Sequence, residues 1–78
     1  MEAIELDLRH LPAPEPMLRI LDALADLVAG QVLIALTPCR PQPLLDRLAL
    51  LGYRAEVVVA AGGDARVRIA LDDGRAGA

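Results

Sequence analysis

The sequence predicts an α+β fold, a two-layer α/β sandwich with the order β-α-β-α-β-β, in which a four-stranded mixed sheet carries two helices on one face. Three observations point there. Apolar and charged residues alternate at period two near both ends, in Ile4–Arg9 and in Arg66–Leu71. Two leucine-rich segments repeat at helical spacing, and each follows a strand through a Pro-x-Pro start. Finally, 78 residues at 8.3 kDa leave room for one small domain, so multidomain enzymes are excluded.

The elements follow in order. Ile4, Leu6 and Leu8 alternate with Glu5, Asp7 and Arg9, which gives a first strand with one buried face. Pro12, Pro14 and Pro16 forbid further sheet pairing, and the last two suit a helix's first turn, which needs no amide donors. Met17, Ile20, Leu21, Leu24, Leu27 and Val28 then recur on one helical side, with Arg19, Asp22 and Asp26 opposite and Gly30 as the stop. Gln31–Thr37 is a nearly unbroken aliphatic run, as an interior strand requires, and Pro38 ends it.

Pro41 and Pro43 open a second helix with Leu44, Leu45, Leu48 and Leu51 on one face and Gly52 as its left-handed cap. Tyr53–Ala60 reads as the third strand, with Ala55, Val57 and Val59 inward and Arg54 and Glu56 outward. A turn at Gly62, Gly63 and Asp64 leads to the fourth strand, where Val67, Ile69 and Leu71 alternate with Arg66 and Arg68. The domain is placed at residues 1–72 and a flexible C-terminal tail at 73–78.

Composition narrows the chemistry. Hydrophobic residues are 55% of the chain but aromatics 1%, so the core is aliphatic, with Tyr53 as its single ring at the core edge. The net charge is −3 and all eight basic residues are scattered arginines, so nucleic-acid binding, which wants a basic stripe and stacking aromatics, is not expected. The longest uncharged run, Leu27–Cys39, is too short to cross a bilayer, and Glu2, Glu5 and Asp7 stand where a signal peptide would be basic. A cytoplasmic location is expected, consistent with the unpaired Cys39. The absence of Ser, Lys and Asn removes serine triads, Schiff-base lysines and the phosphate-loop lysine.

Candidate site residues gather by topology. A right-handed crossover makes the first two strands parallel, so the elbows that follow them share one rim. That rim collects Arg9, His10 and Pro12–Glu15 and, across from them, Thr37–Arg40, beside two helix N-termini whose free amides would favour an anion or a thiolate. Cys39 beside Arg40 fits either a reactive thiol or an inert loop cysteine. His10 fits either a base or a loop hydrogen-bonder, and Glu15 is favoured by the helix dipole whatever its function. No ligand-spacing motif supports a metal site, and no cofactor is expected. On the opposite side, the open sheet face presents Glu5, Asp7, Arg54, Glu56, Arg66 and Arg68 around an apolar stripe at Leu33 and Ala35 or their neighbours. That is a solvated face, the contact of a partner protein or the contact of a symmetric homodimer.

The segment Leu6-Asp7-Leu8-Arg9-His10-Leu11-Pro12-Ala13-Pro14-Glu15-Pro16-Met17 resembles the N-terminal signature of the TusA/SirA-like sulfur-carrier family. Those proteins begin Leu-Asp, continue to Gly-Leu, and place Cys-Pro-x-Pro at the start of the first helix. The resemblance extends through the Gly30 elbow, the second helix and the Gly52-Tyr53 step, and it implies the same fold. In that family the motif cysteine carries a persulfide sulfur from a cysteine desulfurase to an acceptor. Ala13 stands at that position here and His10 at the family's glycine. Pro-Glu-Pro is kept, as in a TusA-like bacterial group of unknown function.

Two expectations follow. The first is a non-enzymatic binding or adaptor protein, linked to sulfur or redox metabolism, that meets a protein partner around Arg9, His10, Pro14, Glu15, Pro16, Cys39 and Arg40. The second is a persulfide carrier in which Cys39 replaces the missing cysteine, with His10, Arg9 or Arg40 holding charge.

Overall fold

The computed structural model describes residues 2–71; the tail expected at 73–78 lies outside the described residues. Six elements follow the expected order: β1 (Glu2–Asp7), α1 (Glu15–Leu24), β2 (Gln31–Thr37), α2 (Gln42–Leu51), β3 (Tyr53–Val59) and β4 (Ala65–Leu71). The sheet is mixed and ordered β1-β2-β4-β3, with β1 parallel to β2 and β4 antiparallel to both β2 and β3. The last strand in the chain is therefore interior. Strands β1, β2 and β3 all run toward one rim, which carries the elbows after β1 and β2 and the β3–β4 hairpin.

The core lies between the helices and one sheet face. Ile20 and Leu24 of α1, Leu44 and Leu48 of α2, Leu33 and Ala35 of β2, and Val67 and Ile69 of β4 are all buried there. Burying one such Leu, Ile or Val contributes about 1.5–3 kcal/mol, and a small aliphatic core depends on this close set. Leu8 lies one residue beyond β1, yet its amide donates to the Leu36 carbonyl at 2.8 Å and its side chain is buried. Tyr53 packs half-buried against the same cluster.

Several local expectations are corrected. The first helix ends at Leu24, short of Val28, because its exit tightens into i→i−3 bonds: the amides of Ala25, Asp26 and Leu27 donate to Asp22, Ala23 and Leu24 at 3.1–3.2 Å. That tighter winding carries Leu27 into the core and leaves Val28 exposed. Gly30 closes a separate turn, in which Gln31 N–H donates to the Val28 carbonyl at 3.0 Å and Gly30 holds φ +91°. Gly52, at φ +89°, does cap α2 as expected.

In α2, Leu44 and Leu48 are buried, but Leu51 is 58% exposed because the final turn leads into the chain reversal at Gly52. In β3, Val57 packs on the core, whereas Ala55 and Val59 share its face and stay exposed, since β3 is an edge strand only partly covered by α2. The apolar stripe of the open face is Val32, Ile34 and Leu36; Leu33 and Ala35 point into the core. Among the described residues, no helix is long and apolar enough to cross a membrane.

Candidate functional site

The two elbows meet at the rim as a cleft of about 190 Å³. Its first wall comes from the β1–α1 connection and the start of α1: Ala13, Pro14, Pro16 and Met17. The second comes from the β2–α2 connection and the start of α2, where Thr37, Pro38, Cys39, Arg40, Pro41, Pro43 and Leu44 line it. Ala13 and Cys39 thus face one space. Five prolines in the walls fix φ and leave little for the surfaces to do but present apolar rings.

The same prolines change the electrostatics expected of the helix N-termini. A helix normally leaves four amides unpaired at its start. In α1 the N-cap is Pro14 and the second helical position is Pro16, neither of which has an N–H, while Glu15 N–H is spent on the Pro12 carbonyl at 3.0 Å. In α2, Pro41 and Pro43 repeat that arrangement, and Gln42 N–H donates to the Arg40 carbonyl at 3.1 Å. At most the amides of Met17 and Leu44 remain. The expectation of outward-pointing free amides is therefore corrected, because proline at alternate positions removes the donors that would cradle an anion.

Cys39 is exposed on the cleft wall. Its loop is held from below by Thr37, a fully buried residue whose hydroxyl donates to the Cys39 carbonyl at 2.8 Å, with the Ala65 carbonyl at 3.5 Å. Arg40 borders the cleft but directs its Nε–H to Gln42 Oε1 at 3.0 Å, and Gln42 Nε2 donates onward to Asp46 at 2.9 Å. Sequence reasoning passed over Thr37 as a support. Its signal was a lone polar residue ending an aliphatic strand just before Pro-Cys.

His10 and Arg9 do not join Cys39. They line a separate depression with Asp7 and Asp64. Arg9 grips Asp7 with a two-pronged fork, Nε to Oδ1 at 2.8 Å and Nη2 to Oδ2 at 2.7 Å, and its backbone N–H also reaches Oδ1 at 3.3 Å. These bonds hold the Asp7 carboxyl at about 2, below its ordinary 3.8, and the Asp7 carboxylate in turn raises the Arg9 guanidinium. A second contact, Arg9 to Asp64 at 3.8 Å, ties the first elbow to the β3–β4 hairpin. Glu15 is engaged at the surface, with Arg19 one turn on at 3.8 Å.

Apart from Glu15, which pairs with Arg19 at the surface, the candidate residues divide into two groups. Pro14, Pro16, Cys39 and Arg40 share the cleft, while Arg9 and His10 belong to an acidic-basic cluster beside it. A further groove between α2 and β3, lined by Leu45, Asp46, Ala49, Tyr53 and Val57 among others, holds no thiol or imidazole. Among the described residues, no three of His, Cys, Asp and Glu converge as a metal site.

Comparison with known proteins adds the lineage. The family described as Uncharacterized conserved protein (DUF2249) matches residues 5–70. A solved structure of the SirA-like protein from Desulfitobacterium hafniense superposes with a TM-score of 0.70 at 30% identity, covering 88% of this chain and 95% of that one. The search of curated proteins gives no match.

Proposed function

The chain belongs to the DUF2249 family and has a SirA-like fold, and from that premise we propose that it is a small non-enzymatic binding or adaptor protein whose elbow cleft docks a protein of sulfur transfer or redox metabolism. The observation that carries this reading is the cleft itself: apolar, proline-walled, poor in free amides, with a methyl group at Ala13 where the resemblance places the carrier cysteine. Such a surface suits burial of a partner's apolar side chains and gives a reacting sulfur anion little stabilisation. The alternative carrier reading draws support from Cys39, an exposed thiol on the opposite wall of that same cleft.

A cysteine desulfurase is the probe that separates them. With the desulfurase alone, the adaptor reading expects saturable binding that Ala13→Arg abolishes by placing a charge in the apolar cleft. With cysteine added, intact mass should show no sulfur gain on the unaltered chain, and a gain on Ala13→Cys. Absence of binding overturns the sulfur-transfer partner. A sulfur adduct on the unaltered chain that Cys39→Ala removes overturns the adaptor in favour of the carrier.

A further inference from the structure

We propose that the sheet face not covered by the helices is a self-association surface that takes a second copy of this chain. Register places Glu5 of β1, Ile34 of β2 and Arg68 of β4 side by side, and Asp7, Leu36 and Arg66 in the next row. An acidic column, an apolar column and a basic column therefore lie next to one another. Glu5, Asp7, Ile34, Leu36 and Arg66 line one shallow depression there, of about 390 Å³.

The pattern is complementary to itself. A half-turn about an axis along β2 lays Ile34 and Leu36 against their own counterparts and sets each acidic column over the other copy's basic column, so every favourable contact occurs twice. A half-turn about an axis across the strands would instead oppose acid to acid and base to base. The charges select the first arrangement. Two of them are unspent: Asp7 is held by Arg9 and Arg68 reaches Glu56 at 3.3 Å, but Glu5 and Arg66 have no ion-pair partner among the described residues. Because the apolar stripe is a single column in which Val32 is already buried and only Ile34 and Leu36 are half-buried, the expected assembly is a concentration-dependent monomer–dimer equilibrium rather than a permanent dimer. It is independent of the elbow cleft, so Ala13→Arg should leave it unchanged.

Sedimentation equilibrium over a wide concentration range, at low and high salt, tests it. Self-association should be stronger at low salt. Glu5→Arg alone, and Arg68→Glu alone, should each weaken it by at least about tenfold, since like charges then meet across the interface. Mixing these two variants should restore a dimer of one copy of each, because both charge columns are again complementary. That rescue cannot arise from misfolding. A chain that stays monomeric at every concentration overturns the proposal, as does a dimer indifferent to both variants or a mixture that does not re-associate.

Discussion

Replacing Thr37 by valine removes one hydroxyl from beneath the Cys39 loop and keeps the shape of the side chain. The hydroxyl has a single proton, and the contact of 2.8 Å to the Cys39 carbonyl takes it, while the 3.5 Å separation from Ala65 lies at the outer limit for a bond. One net hydrogen bond is thus lost, worth about 1 kcal/mol. The full penalty for a stranded acceptor does not apply, since the carbonyl belongs to an exposed residue and can turn to water. Against a total stability of roughly 4–12 kcal/mol for a domain of this length, Thr37→Val should lower the melting temperature by about 4–8 °C. Urea unfolding gives the energy, and amide hydrogen exchange should quicken at Gln42, whose N–H is bonded to the Arg40 carbonyl of the same elbow, but not in β4. A loss below about 0.3 kcal/mol, or elbow exchange that does not change, would refute the assignment of Thr37 as the loop's anchor.

Other outcomes follow from the same structure. Ile20→Ala, at a fully buried site, should cost about 2–5 kcal/mol in urea unfolding, whereas Leu50→Ala, 87% exposed, should change stability by no more than about 0.5 kcal/mol. Gly52→Ala meets no atom within 4 Å of the added carbon, so its cost should be backbone strain at φ +89° alone, about 1–2 kcal/mol by calorimetry. Carboxyl NMR should place the Asp7 midpoint at about 2, and Arg9→Gln should return it toward 3.8. Because the folded value is the lower one, the Asp7–Arg9 fork stabilises the fold above pH 3.8 and fades as pH falls through about 2. The stability difference between the unaltered chain and Arg9→Gln should accordingly be present at neutral pH and vanish in strong acid.

Element order and type were legible because each strand or helix carries its own period and the prolines and glycines mark the joints. Boundaries that depend on hydrogen-bond geometry were not: Leu27 and Val28 continue the helical spacing of α1, yet i→i−3 bonds at its exit send one inward and the other to water. The register of β2 was also unreadable from its own residues, since Gln31–Thr37 is apolar on both faces; pairing with the alternating β1 and β4 decides it. Exposure of Val59 depends on how far α2 reaches over an edge strand, which no local pattern encodes. At the rim, crossover handedness foretold that the elbows would meet. It could not foretell that Asp7 and Asp64 would draw Arg9 away from Cys39, because Asp64 comes from a hairpin distant in sequence.

The interior position of β4 bears on how the polypeptide matures on the ribosome. Until residues 65–71 have left the exit tunnel, β2 and β3 lack the strand that joins them, and the aliphatic residues of β2 stand bare on one side. Thr37 meanwhile waits for Ala65 to close over it. Synthesis must therefore run almost to the end of the described chain before the rim takes shape, and a nascent form stopped earlier would offer a chaperone two open strand edges.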